Sequence, residues 1–126
     1  WEAACHPTPY ERQYYHPEDY SKSRVNYFRW RFVDGDEEIL PGLLLMLTPG
    51  HTRGSQSVLL DTAEGTLCFP GDTITSRINL EHIVVNDKQL FESMEKIRRV
   101  SQRIVFSHDA GIVTGMRSGF YEVPEL

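Results

Sequence analysis

Residues 48–55 read Thr-Pro-Gly-His-Thr-Arg-Gly-Ser and place His51 just after an apolar run at 43–47. Gly71-Asp72 follows a second apolar run at 66–69, and Ser107-His108-Asp109 follows a third at 104–106. Short apolar runs of this kind read as strands. Ligands at the ends of successive strands converge on one sheet edge, which is where α/β proteins put their sites. Two imidazoles and one carboxylate are donors suited to zinc, or to iron or manganese. A lone loop histidine is usually only solvated, and a lone Gly-Asp is usually a turn. Three such residues in the same strand-then-loop context favour a metal site made by His51, Asp72 and His108.

The elements that must position these residues are legible in outline. Residues 43–47 form a continuous apolar run, suited to a strand covered on both faces. Residues 57–60 pair with 66–69 across Ala63-Glu64-Gly65, a hairpin. Asn86 or Asp87 can cap a helix running to about residue 102, with Leu90, Phe91, Met94, Ile97 and Val100 at helical spacing. Met94 is core filling there, and Glu92 with Lys96 is an i,i+4 pair on the outer side. Residues 103–106 return as a strand that delivers His108. The glycine-rich stretch 111–119 reads as a loop before a frayed end.

Upstream, Tyr27, Arg29 and Arg31 alternate with Phe28, Trp30 and Phe32, the pattern of a half-buried strand. Asp34-Gly35-Asp36 then reads as its hairpin turn. Residues 1–24 are rich in Tyr and Pro and read as irregular, with a short helix from Pro17. This segment suits either a cap over a substrate pocket or a surface docking on another part of the domain. Together the elements predict an α/β (α+β) domain, a mixed β-sheet with helices on one side and an unusually apolar opposite face.

A length of 126 residues suits one domain, and 40% hydrophobic residues can build a core. A net charge of −5 speaks against a nucleic-acid-binding surface. Two cysteines are too few for a disulfide framework. Cys68, within an apolar run, is a buried small hydrophobe. Cys5 beside His6 invites a metal reading but lacks partners. No run reaches the length of a membrane-spanning helix; a cytoplasmic location and no membrane partner are expected, with a signal peptide left open.

Residues 48–57 resemble the Thr-Pro-Gly-His-Thr/Ser-x-Gly-x-Gln-Ser stretch of N-acyl homoserine lactonases, a branch of the metallo-β-lactamase-fold hydrolases. Phe69-Pro70-Gly71-Asp72 and the Pro41-Gly42 lead-in fit the same branch, and Ser107-His108-Asp109 is similar to its terminal Gly-His-Asp. The resemblance implies half of an αββα sandwich. It implies that His51 binds one of two divalent ions and His108 the other, while Asp72 bridges both as the catalytic carboxylate. Zinc is the expected metal, with iron or manganese as alternatives. The implied activity is hydrolysis of a small-molecule lactone or ester by a hydroxide bridging the two metals, and a homo-oligomer is compatible with it.

Two departures qualify that resemblance. The family's His-x-His-x-Asp-His signature, which supplies the remaining ligands, does not occur; the other histidines are His6, His16 and His82. With Trp1 in place of an initiator Met, residues 1–126 read as the C-terminal part of one domain, a 1–24 segment ahead of a 25–126 core. The missing N-terminal half is then a required partner, and the piece alone should be inactive. The branch also carries a helper Tyr three residues after the bridging Asp, where this chain has Thr75, which favours the broader class of metal-dependent hydrolase. Two alternatives stay open: a thioester hydrolase of the glyoxalase II kind, and a non-catalytic scaffold or binding fragment. The short interval from Asp72 to His108 leaves no room for the extra domain of the superfamily's nucleases.

Overall fold

Two tight turns organise the centre of the chain. Strands β1 (Glu37–Leu40) and β2 (Leu43–Leu47) meet across Pro41-Gly42, with Leu40 paired to Leu43. Proline presets the first turn position, and Gly42 takes φ +77°, which the second requires. Strands β3 (Gln56–Thr62) and β4 (Gly65–Phe69) meet across Ala63-Glu64. The computed structural model describes residues 5–13, 30–81, 87–101, 103–109 and 121–122.

The strands form one mixed six-stranded sheet in the order β1-β2-β3-β4-β5-β6. Strand β5 (Arg103–Ile104) lies parallel to β4, and β6 (Tyr121–Glu122) lies antiparallel to β5. A parallel neighbour requires a crossover, which helices supply. Here they are α1 (Arg77–Glu81) and α2 (Lys88–Val100). The Asp87 side chain caps α2, accepting the N–H groups of Gln89 at 2.8 Å and Leu90 at 3.2 Å. The helix ends where Ser101 turns extended and its N–H reaches the Ile97 carbonyl at 3.0 Å.

Side-chain alternation divides the sheet into two faces. The register aligns Leu44, Leu59, Cys68 and Ile104 across four strands. This row, with Met46, packs against Ile74, Leu80, Met94 and Ile97 of the crossover and against Phe106. Burial pushes the Cys68 thiol up to about 12, so it behaves as an inert apolar group. The other face aligns Leu43 with Leu60 and Leu67, and Leu45 with Val58 and Phe69. Leu60 and Phe69 there are more than a third exposed. The apolar opposite face expected from the sequence is therefore present, and in layered domains a second layer covers such a face.

Several local expectations need correction. Trp30, Arg31 and Phe32 form no strand, and Trp30 and Phe32 are 50% and 61% exposed; residues 27–29 lie outside the described ones. Asp34-Gly35-Asp36 is a bend rather than a hairpin turn, because the strand that pairs with β1 lies downstream, beyond Pro41-Gly42. Asp36 instead accepts the Leu47 N–H at 2.8 Å and the Lys96 ammonium at 2.8 Å. Lys96 thus does not pair with Glu92, which takes Lys88 at 3.5 Å. Phe91 and Val100 flank the buried stripe of α2 and are 44% and 42% exposed. Strand β6 occupies what the sequence suggests is a frayed end. The helix expected from Pro17 and the loop at 111–119 lie outside the described residues.

Candidate metal centre

Strand β2 is antiparallel to β3, β3 to β4, and β5 is parallel to β4, so β2, β4 and β5 all run the same way. Their C-terminal ends meet at one edge. His51 follows β2, Asp72 follows β4 and His108 follows β5, and the three side chains come together there. His108 Nε2 lies 3.1 Å from Asp72 Oδ1, and His51 Nε2 lies 3.8 Å from Asp72 Oδ2. Each imidazole faces its own carboxylate oxygen.

That arrangement bears on which metals the donors could hold. Two ligands of one tetrahedral zinc, each bonded at about 2.0–2.2 Å, stand about 3.3 Å apart. The two His–Asp separations, 3.1 and 3.8 Å, bracket that value. Among the described residues no group of three or more His, Cys, Asp or Glu side chains forms a metal cluster. No single ion is therefore held by all three residues, and each His–Asp pair offers two of the ligands that a cation needs.

Each of the three residues is held by its own supports. Asp72 lies in a 3₁₀ turn, Gly71–Thr73, entered through Gly71 at φ +56°. Thr73 anchors this turn: its hydroxyl donates to the Thr48 carbonyl at 3.0 Å and lies 3.3 Å from the Thr48 hydroxyl, itself 2.8 Å from that of Ser57. All three hydroxyl-bearing residues are buried, so the ends of β2, β3 and β4 are tied beneath the site. His108 is fixed through its backbone N–H, which donates to the Thr75 carbonyl at 2.9 Å. The Ser107 hydroxyl reaches the Gly71 carbonyl at 3.2 Å and Asp72 Oδ1 at 3.3 Å. Ser107 therefore steers the carboxylate, and sequence reasoning passed over it because a serine beside a histidine carries no distinguishing pattern.

The His51 loop is braced from α2. The Ser93 hydroxyl donates to the Pro49 carbonyl at 2.6 Å, and a Cβ on Gly50 would fall 2.6 Å from Leu90 Cα. Gly50, at φ +146°, is thus the glycine that close approach demands. Gly54 faces no such neighbour: nothing lies within 4 Å of a Cβ placed there. Thr52 and Ser55 do satisfy loop groups, the Ser55 hydroxyl accepting the Thr52 N–H at 3.0 Å. Asp109 Oδ2 accepts the Arg77 N–H at 3.0 Å. The Thr75 hydroxyl bonds Asn79. Cys5 and His6 belong to no metal cluster among the described residues.

The mixed sheet with its helices on one face matches the fold of metallo-β-lactamase-type hydrolases, and the chain fits the C-terminal part of that fold. A Thermotoga maritima protein described as a metallo-β-lactamase superposes with a TM-score of 0.58 at 26% identity, over 75% of this chain and 47% of that one. Curated relatives of this chain include N-acyl homoserine lactonases. The Bacillus thuringiensis enzyme is 29% identical over 104 residues, 75% of this chain and 42% of the relative, and the Bacillus cereus enzyme is 27% identical over 109 residues. An N-acyl homoserine lactone hydrolase with N-hexanoyl-L-homoserine at its catalytic metal centre superposes with a TM-score of 0.64 at 27% identity, over 87% of this chain and 48% of that one. No family model matches the chain. The chain spans less than half the length of the curated relatives it matches.

Proposed function

We propose that the protein containing this chain is a metal-dependent hydrolase of a lactone or related ester. In this reading His51 holds one divalent cation, His108 the other, and Asp72 offers one oxygen to each. The observation that carries it is the placement of the two Nε2 atoms against different oxygens of Asp72, at 3.8 and 3.1 Å. The lactonase relatives and the product-bound neighbour support the substrate class. Zinc, or iron or manganese, would lower the pKa of a water and polarise the carbonyl under attack.

Beyond these ligands, the chain contributes positioning. The Thr48–Ser57–Thr73 hydroxyls keep the Asp72 turn and the end of β2 in one frame. Ser107 holds the carboxylate plane by its bond to Oδ1. The Thr75 hydroxyl, turned to Asn79, is committed to the local helix start. That commitment favours the broad ester or lactone class over strict homoserine-lactone specificity.

The test uses the full-length protein, with metal content and hydrolysis of short- and long-chain acyl homoserine lactones and simple esters measured on each variant. Asp72→Asn is expected to lose activity on the order of a hundredfold or more and to bind its second ion loosely, since an amide oxygen is a weaker donor. His51→Ala and His108→Ala should behave alike, and Thr75→Val should change little. Full activity in Asp72→Asn, or unchanged activity after complete metal removal, would overturn the two-metal reading, and no hydrolysis of any of these substrates by the metal-loaded wild type would leave a scaffold role as the better account.

A further inference from the structure

We propose that Glu11 and Arg53 form a positioning clamp on the His51 loop, so that the segment ahead of the sheet sets how tightly one metal position is held; this rests on the metal role proposed for His51. The Glu11 side chain is 3% exposed. Its Oε1 accepts the Arg53 side-chain Nε–H at 3.1 Å and the Arg53 backbone N–H at 3.3 Å. Its Oε2 accepts the same Nε–H at 3.3 Å and the Thr8 N–H at 2.9 Å. Arg53 completes the link by donating Nη2–H to the His6 carbonyl at 3.1 Å. A buried carboxylate left without partners is strongly unfavourable, so a carboxylate placed here holds its donors firmly.

The loop carrying His51 closes on itself through Thr48 N–H to Ser55 O at 2.9 Å and Gly50 N–H to Thr52 O at 3.1 Å. Those bonds fix its shape but do not tie it to the rest of the domain. Anchors on either side of His51 do that. Before His51, Ser93 of α2 holds the Pro49 carbonyl; after it, Glu11 holds Arg53 by backbone and side chain together. His51 stands between the anchors, so releasing one lets the imidazole swing. Asp72 and His108 have separate supports in Thr73, Ser107 and the Thr75 carbonyl. The clamp therefore acts on one metal position and spares the other. Lysine cannot replace Arg53, because a single ammonium cannot serve both Glu11 and the His6 carbonyl in the planar geometry of a guanidinium.

The experiment compares full-length wild type with Glu11→Gln, Arg53→Lys and His51→Ala. Cobalt(II) is titrated against a competing chelator, the visible ligand-field band of each step is recorded, and the melting temperature of each metal-free protein is measured. Glu11→Gln and Arg53→Lys should weaken, on the order of tenfold, the same step that His51→Ala abolishes. They should alter that step's band and leave the other step as in wild type. If His51→Ala removes a step while Glu11→Gln leaves both steps and both bands unchanged, the clamp is wrong and the metal role of His51 stands. If His51→Ala itself changes neither step, the metal role fails and takes the clamp with it. Equal weakening of both steps with a lowered metal-free melting temperature also overturns the clamp, since general loss of stability has that signature.

Discussion

Replacing Gly50 with alanine tests how the helix supports the site. The added Cβ would lie 2.6 Å from both Leu90 Cα and Leu90 Cβ, and 2.7 Å from Leu90 Cδ1. Carbon atoms in contact need about 3.5–4.0 Å, so loop and helix must separate by about 1 Å. Rotating Leu90 cannot relieve the clash, because one of the crowded atoms is backbone. The position of that backbone is set by the Asp87 cap, whose carboxylate accepts the Leu90 N–H. Alanine also inherits φ +146°, a conformation that costs about 1–3 kcal/mol away from glycine. Overpacking adds a further 1–3 kcal/mol or so, and together about 3 kcal/mol or more of stability should go. His51 is the next residue, and a shift of about 1 Å at a catalytic site can cost about a hundredfold in rate. Urea unfolding of the full-length metal-free protein gives the stability term, and metal titration with lactone hydrolysis gives the positional one. A variant within about 0.5 kcal/mol of wild type, with unchanged metal binding, would refute the packing account of the loop. Gly54→Ala is the control: it meets nothing within 4 Å and should change neither measurement.

Acid titration provides another check. Arg53, aided by the Thr8 N–H, lowers the Glu11 carboxyl from its ordinary 4.5 to about 2. A carboxylate lowered in the folded state contributes stability that is fully present above about 4.5 and lost as pH falls toward 2. Glu11→Gln should flatten the stability–pH curve across that window, and an unchanged curve would show that the pair does not form. Asp87→Ala should destabilise by about 1 kcal/mol in urea unfolding through loss of the α2 cap. Its exposed position predicts that Asp87→Ser restores most of that loss.

Sequence by itself determined the elements whose signals are local. Residues 43–47, the hairpin closed by Ala63-Glu64, and the helix behind Asp87 follow from apolar period, turn chemistry and capping, each set by neighbours a few positions away. Strand order also fixed which residues could meet, because His51, Asp72 and His108 each follow a strand. Only the tertiary structure decided how they face one another, with separate oxygens of Asp72 given to the two imidazoles. It also decided partners that local rules misassign. An i,i+4 pair of Glu92 and Lys96 offers a few tenths of a kcal/mol. Packing α2 on the sheet brings the Lys96 ammonium to Asp36 and to the Leu47 carbonyl instead, at 2.8 and 3.1 Å. Burial works to raise the Asp36 carboxyl, but Lys96 and the Leu47 N–H outweigh it and hold the group below its ordinary 3.8. The contact of Glu11 with Arg53 and the crowding of Gly50 by Leu90 have the same origin. Both join residues about 40 positions apart, whose meeting depends on how helix and sheet pack and leaves no trace in either local stretch.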